Sequence, residues 1–231
     1  MTNESVRKQL EQRIAELEKE NLRLRKNNKI LGKKAKLSEK DPLTGLYNKG
    51  KLKETLSSLA SRVERKEYLR VVSVFSDIDD FKNINTQYGH ESGDVVLRTT
   101  AECLKKSLRK HEQNNIYRYG GEEIVFLFYS IPLSKGLQAA ERLRKEVERH
   151  CRFYKAEDGR LYHIQNNKYE DKQGNLHEAK ESKNIVGITM SFGVASYKKD
   201  SADLPDIIHY SSKAMQCAKK QGKNKSVRWA D

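Results

Sequence analysis

The segment RYGGEEIVFLF, Arg118–Phe128, constrains the fold more than any other stretch of this chain. Five apolar residues, Ile124–Phe128, follow directly on two glycines and two glutamates. An unbroken apolar run of this kind fits a buried strand. Adjacent glycines and paired like charges are poor strand residues, so they mark a turn. The pattern predicts a hairpin that enters along Asn115–Tyr119, turns at Gly120 and Gly121, and returns along Ile124–Tyr129. A turn stripped of Cβ atoms permits positive φ and lets a ligand press against backbone. The plainer reading is a hairpin turn and nothing more.

Two further stretches, LRVVSVFSDIDDF and NIVGITMSFGVASY, have the β-branched composition of buried strands. Between the strands, helical periodicity predicts helices over 51–65, 93–109, 133–151 and 205–219, and SVRWA reads as a last short strand. Strands interspersed with helices, one pair of them an antiparallel hairpin, imply an α+β fold: a mainly antiparallel sheet flanked by helices. Residues 152–183 are polar and rich in Asn and Lys. Their EDGR and DKQGN turns bracket LYHIQNNKY, which predicts a protruding hairpin, either a partner contact or a tolerated surface insertion.

Residues 1–40 contain neither proline nor an aromatic residue, and Leu10, Leu17, Leu24 and Leu31 recur every seventh position. These are d positions of a heptad, with Ile14, Asn21, Asn28 and Ala35 at a. In a parallel homodimer Arg13 would face Glu18 of the second copy, and Glu20 would face Arg25, so the charges agree with such a pairing. A single solvated helix is the alternative. Asp41-Pro42 ends the segment and opens a second domain, 41–231. A DNA-reading zipper needs a basic helix upstream, and only nine residues precede Leu10.

The net charge of +14 favours anionic partners: nucleic acid, a membrane surface or free nucleotides. No nucleic-acid motif accompanies it. The three cysteines, Cys103, Cys151 and Cys217, are too scattered for a disulfide framework or a zinc site, which fits a reducing cytoplasm. No apolar run approaches the roughly 18 residues of a membrane span, and the N-terminus has no signal-peptide core. The expectation is a cytoplasmic chain with no membrane partner.

Chemistry gathers at the strand ends. Period-two alternation puts Asp77 and Asp79 on one face and Ile78 on the other. Carboxylates at the end of an apolar strand are costly unless solvated, paired or bound to a cation. With the hairpin alongside, Glu122 would meet Asp77 across the sheet. Two or three carboxylates would then share a site whose hard oxygen ligands select Mg²⁺ or Mn²⁺. Such a site beside positive charge implies phosphoryl or nucleotidyl transfer. The alternative is that these groups cap helices or pair with lysines.

Taken together, RYGGEEI, FSDIDDFKNINTQYGHESGDVVL, DPLTGLYN and TMSFGVA resemble the hallmark segments of GGDEF-domain diguanylate cyclases, over roughly Asp41 to Trp229. The resemblance implies a fold related to the nucleotide-cyclase palm and an enzyme that condenses two GTP into cyclic di-GMP, releasing two pyrophosphates. It implies one GTP per protomer and two protomers face to face. By position, Asp77 and Glu122 would hold Mg²⁺ through carboxylates and Ile78 through its backbone carbonyl. Glu123 would assist the metal or activate the 3′-hydroxyl. Asn85 and Asp94 would read guanine. Phe81 and Lys82 would begin the phosphate loop, Gly120 and Gly121 would admit the nucleotide, and Lys219 and Lys223 would hold the outer phosphates.

Three departures stand out. Ile124 replaces the usual Phe of the motif, an apolar exchange that a strand core tolerates. Lys223 stands where Arg is common, which keeps charge but not bidentate geometry. The family's product-inhibition motif, Arg-x-x-Asp, is HEQN here, His111 to Asn114. Feedback through that site is therefore expected to be absent. The competing reading is a non-catalytic GGDEF module that binds GTP or cyclic di-GMP and signals through its coiled coil.

Overall fold

A computed structural model describes residues 13–14, 16–25, 39–64, 70–109, 112, 115–179, 182–197, 200 and 203–230. The chain divides into two compact units, Met1–Lys40 and Asp41–Asp231. In the first, the described residues 13–14 and 16–25 are helical (α1), and Ile14, Leu17 and Leu24 are exposed. The expected heptad positions Leu10, Asn28, Leu31 and Ala35 lie outside the described residues. No described helix is long and apolar enough to cross a membrane.

The second unit is built on β1 (Val71–Ile78), whose eight residues are all buried. It pairs antiparallel with β3 (Glu123–Tyr129) on one side and β9 (Met190–Ser196) on the other. β2 (Ile116–Gly120) and β10 (Ser226–Arg228) complete a sheet of order β10-β9-β1-β3-β2, in which only β10 runs parallel to its neighbour. Helices cover both faces, which explains the unbroken apolar composition of the central strands. Val72, Val74 and Ile78 face α3 (Phe81–Ser107) and α4 (Leu133–His150), while Val71 and Phe75 face α2 (Lys49–Glu64) and α5 (Asp206–Lys220). The α+β architecture read from the sequence is the one the chain adopts.

Local departures have physical causes. The hairpin turns at Gly121 and Glu122 rather than at the two glycines, because Gly120 still pairs with Glu123 across a bulge after Arg118. Gly121 takes φ 49°, the conformation that its missing side chain permits. The run NIVGITMSFGVASY is two strands, not one. β8 (Ile185–Gly187) joins a separate sheet, and the chain re-enters the central sheet only at Met190. α3 begins at Phe81, well before the periodic stretch, and is broken at Gly89 (φ 81°, ψ 161°).

The 152–183 segment is more ordered than a bare hairpin. β4 (Arg152–Lys155), β5 (Leu161–His163) and β8 form a three-stranded sheet, and β6 (Lys168–Glu170) pairs with β7 (Leu176–Glu178). Phe153 and Leu161 sink into the main core, the Leu161 amide donates to Ser92 Oγ at 3.1 Å, and Tyr169 stacks on Tyr154 with ring centroids 4.7 Å apart. Few apolar residues are needed because Phe153 and Leu161 reach the core of the domain.

α5 lies directly on β9. A Cβ at Gly193 would meet the Ser211 carbonyl oxygen at 2.0 Å and the Met215 nitrogen at 2.1 Å, both rigid backbone atoms. Ser73 on β1 and Ser211 on α5 share a buried hydrogen bond of 2.8 Å that fixes the same approach. Gly193→Ala is expected to destabilise the domain by about 3 kcal/mol in denaturant unfolding, because overpacking pushes helix off sheet. Gly187→Ala, where a Cβ meets nothing within 4 Å, serves as the neutral control.

Candidate active site

The site forms where β1 ends. Asp77 is the last acidic residue within the strand, 7% exposed, and accepts a 2.5 Å hydrogen bond from Lys219 Nζ on α5. Lys219 reaches it because the Gly193 contact lays α5 along this edge of the sheet. The sheet register sets Glu123, not Glu122, directly opposite Asp77. The one-residue shift of the turn moves Glu122 into the turn itself. Burial pushes the Asp77 carboxyl up from its ordinary value, outweighing Lys219, with repulsion from Glu122 and Asp79 adding to it. Burial likewise raises Glu123, helped by the charges of Asp77 and Glu122.

Asp79 has a different fate from the one alternation implies. It lies 5% exposed beyond the strand end and accepts from Thr189 Oγ1 (2.8 Å), Ser191 Oγ (2.7 Å) and the Asn224 amide (3.0 Å). Its oxygens are occupied in tying three chain segments together. Asn224 extends the clamp: its side chain donates to Glu148 at 2.8 Å and accepts from Arg144 at 2.7 Å. Next to it Asp80 adopts φ 58° and receives Lys223 Nζ at 2.6 Å. The two lysines expected on outer phosphates thus rest on one aspartate of β1 and one of the β1–α3 loop. Lys219 offsets the like charge that Glu122 and Asp79 bring to Asp77.

The other expected residues sit on α3 or beside it. Ile78 ends β1 opposite Met190 with its side chain buried. Phe81 is buried at the first turn of α3 and Lys82 is exposed there. Asn85 lies before the Gly89 break and Asp94, exposed, after it. Asn85 leans on Gly93, where a Cβ would come within 1.9 Å of its Oδ1. His111 and Asn114 lie outside the described residues.

Arg118 and Asp41 were not singled out from the sequence as a pair, yet they hold the glycine turn. Arg118 Nη1 lies 2.9 Å from both Asp41 oxygens, and its Nε donates to the Gly121 carbonyl at 2.9 Å. Asp41 in turn accepts from the Thr44 amide and hydroxyl, which folds DPLTG into a tight turn against β2. The signal available was an Arg directly before the glycines and an Asp opening a turn motif.

Residues 38–165 match the family model described as diguanylate cyclase, GGDEF domain. This chain belongs to the GGDEF diguanylate cyclase family. Among relatives of the GGDEF domain, diguanylate cyclase A of Treponema denticola is 32% identical over 174 residues, covering 75% of this chain and 38% of its own length. Diguanylate cyclase DgcP of Pseudomonas aeruginosa is 42% identical over 114 residues, 49% of this chain and 16% of that protein. The chain therefore spans well under half the length of these relatives. Among solved structures, the coiled coil and GGDEF domain of DgcB from Caulobacter crescentus, in complex with c-di-GMP, superposes with a TM-score of 0.67. It is 23% identical and covers 95% of this chain and 98% of its own, a likeness of fold.

The raised carboxyls fix a pH signature for the metal-free GGDEF domain. Between the ordinary carboxylate value and the raised folded value, the native state binds more protons than the unfolded chain, so stability falls as pH rises through that window. Glu123→Gln is expected to raise Tm at neutral pH in chelator. The gain should vanish below the ordinary carboxylate range, as thermal melts across pH would record.

Proposed function

We propose that the domain condenses two GTP into cyclic di-GMP, releasing two pyrophosphates, as a homodimer with one nucleotide per protomer. The observation that carries this reading is the pairing of Asp77 with Glu123 at a strand end, both held above their ordinary pKa, within reach of lysines. Family membership supports the same chemistry.

The donor set suits a hard divalent cation. Glu123 is half-buried; among the described residues its side chain accepts no hydrogen bond, and the only cation on Asp77 is the Lys219 ammonium. No group of three acidic, His or Cys side chains is preassembled among the described residues. Binding therefore requires Lys219 to turn away, which frees it for phosphate. Asp77, Glu122 and the Ile78 carbonyl would then hold Mg²⁺ or Mn²⁺, which when bound neutralises phosphate charge and stabilises the leaving pyrophosphate.

The chain's own groups divide the remaining work. Lys219 and Lys223 exchange Asp77 and Asp80 for phosphate oxygens. The first turn of α3, with Phe81 and Lys82, offers unpaired amides and positive dipole to the same phosphates. Asp94 accepts both the N1–H and the amino group of guanine, a pair of donors adenine lacks, with Asn85 alongside. Gly120 and Gly121 leave the hairpin tip open to the nucleotide. Glu123, with its raised affinity for a proton, takes that of the attacking 3′-hydroxyl. The oxygen attacks the α-phosphorus of the GTP held by the second protomer, in line with pyrophosphate departure.

The test is incubation of the chain with GTP and Mg²⁺ and identification of the products. Cyclic di-GMP and pyrophosphate in a 1:2 ratio are expected. Glu123→Gln should lower the rate by roughly 10² or more at unchanged fold. Because His111 and Asn114 replace the Arg and Asp of the inhibitory motif, the rate should not slow as product accumulates. GTP binding without turnover in the wild type would refute the catalytic reading.

We infer further that residues 1–40 join two protomers as a parallel coiled coil, on the heptad leucines and matched charges. Removing them should leave turnover per chain steeply dependent on protein concentration. A rate independent of both truncation and dilution would count against the zipper.

A further inference from the structure

Two turns of the 152–183 segment converge on one stretch of α3. The EDGR turn carries Arg160, whose Nε lies 3.3 Å from Glu91 Oε2. The DKQGN turn carries Lys172, whose Nζ lies 2.7 Å from the same oxygen. Each turn is braced by its own aspartate. Asp158 accepts from the Arg160 amide at 3.0 Å and the Tyr162 hydroxyl at 2.8 Å, and Asp171 accepts from the Gln173 and Asn175 amides at 2.9 and 2.8 Å. Exposed ion pairs contribute little by themselves. The firmer contact is buried beside them. Ser92, 1% exposed, donates to the Tyr88 carbonyl oxygen at 2.7 Å and accepts from the Leu161 amide at 3.1 Å. Leu161 belongs to the core, so β5 is anchored at the point where it grips α3.

The gripped stretch is the weak point of α3. Gly89 leaves the helical conformation, so the half-helix after it does not inherit its direction from the half before it. The Ser92 hydroxyl spans this break and joins it to β5. Asp94 follows two residues later. Beyond that turn, cavities of about 320 Å³ and 440 Å³ are lined by both α3 and the segment, the first at Val95 and the second at Thr99, Glu102 and Lys106. The grip is therefore concentrated immediately before Asp94.

We propose that the 152–183 segment clamps the base-reading half of α3, with Ser92 the positioning residue that sets how strictly the site selects guanine; this rests on the reading above that Asp94 accepts the N1–H and the amino group of the base. Two acceptor oxygens meet two donors only when the carboxylate lies in the plane of the base at the right height. A small rotation of the half-helix keeps one bond and loses the other. Hypoxanthine has the N1–H but no amino group, so inosine triphosphate already lacks the second bond. The preference for GTP over inosine triphosphate therefore reports how well Asp94 is held.

The full chain with Mg²⁺ is assayed for pyrophosphate release with GTP and with inosine triphosphate, each as sole nucleotide. The wild type is expected to half-saturate with GTP at a concentration roughly tenfold or more below that for inosine triphosphate. Ser92→Ala should shrink this ratio about threefold, with kcat for GTP within about twofold of wild type. Inhibition by added pyrophosphate should be unchanged, because the lysines of the phosphate end are untouched. Asp94→Ala should bring the ratio close to one, and adding Ser92→Ala to it should change nothing further. Lys172→Glu sets like charge against Glu91 without entering the core and should shrink the ratio about twofold. A preference that Asp94→Ala abolishes but Ser92→Ala leaves intact would overturn the clamp and leave the guanine reading standing; should Ser92→Ala fail to fold, Lys172→Glu decides in the same way. A further loss in the double variant would overturn the clamp too. No preference in the wild type, or one that survives Asp94→Ala, would overturn both.

Discussion

Everything at the candidate active site depends on two aspartates, two residues apart, at the end of a strand buried on both faces. An ionised carboxylate there must find partners or lose its charge. Asp79 finds two hydroxyls and an amide and becomes a rivet between the β1–α3 loop, β9 and the segment after α5. Asp77 finds one ammonium and remains above its ordinary pKa. The same chemical group thus serves as structure at one position and, in the proposed reaction, as a metal ligand two residues earlier. The difference is how completely each is satisfied.

The rivet matters because the site is assembled from ends rather than from one element. β1 supplies Asp77, the hairpin supplies Glu122 and Glu123, and α5 with its following loop supplies Lys219 and Lys223. Gly193 and the Ser73–Ser211 bond fix the height of α5 on the sheet. Arg118, braced by Asp41, fixes the hairpin tip. The break at Gly89 lets the two halves of α3 point independently, one bearing Lys82 and Asn85 and the other Asp94.

The sheet was legible in the sequence because burial on both faces leaves runs such as VVSVF and IVFLF that little else produces. Which glutamate faces Asp77 was not, because GGEE is compatible with two turn centres and a one-residue slip exchanges the faces. Alternation located Asp79 but could not show that Thr189, Ser191 and Asn224, more than a hundred residues away, would occupy its oxygens. The small sheets of 152–183 escaped detection because their strands are three or four residues long and borrow the core of the domain through Phe153 and Leu161. The motif led to the expectation of the lysines on phosphate, yet composition says nothing of where they rest.

Their resting places carry a thermodynamic consequence. With Lys219 on Asp77 and Lys223 on Asp80, two carboxylates of the site already carry internal cations. A bare triphosphate that draws the lysines away strands the carboxylates, and a bare cation that takes the carboxylates strands the lysines. Either half-exchange leaves a charge without its counterpart, and at the poorly solvated Asp77 end that is costly. Only a ligand that brings both signs at once replaces every partner it removes. In the proposed reaction the internal ion pairs would therefore act as a coincidence filter, discriminating against nucleotide or metal alone before any contact with the base is made.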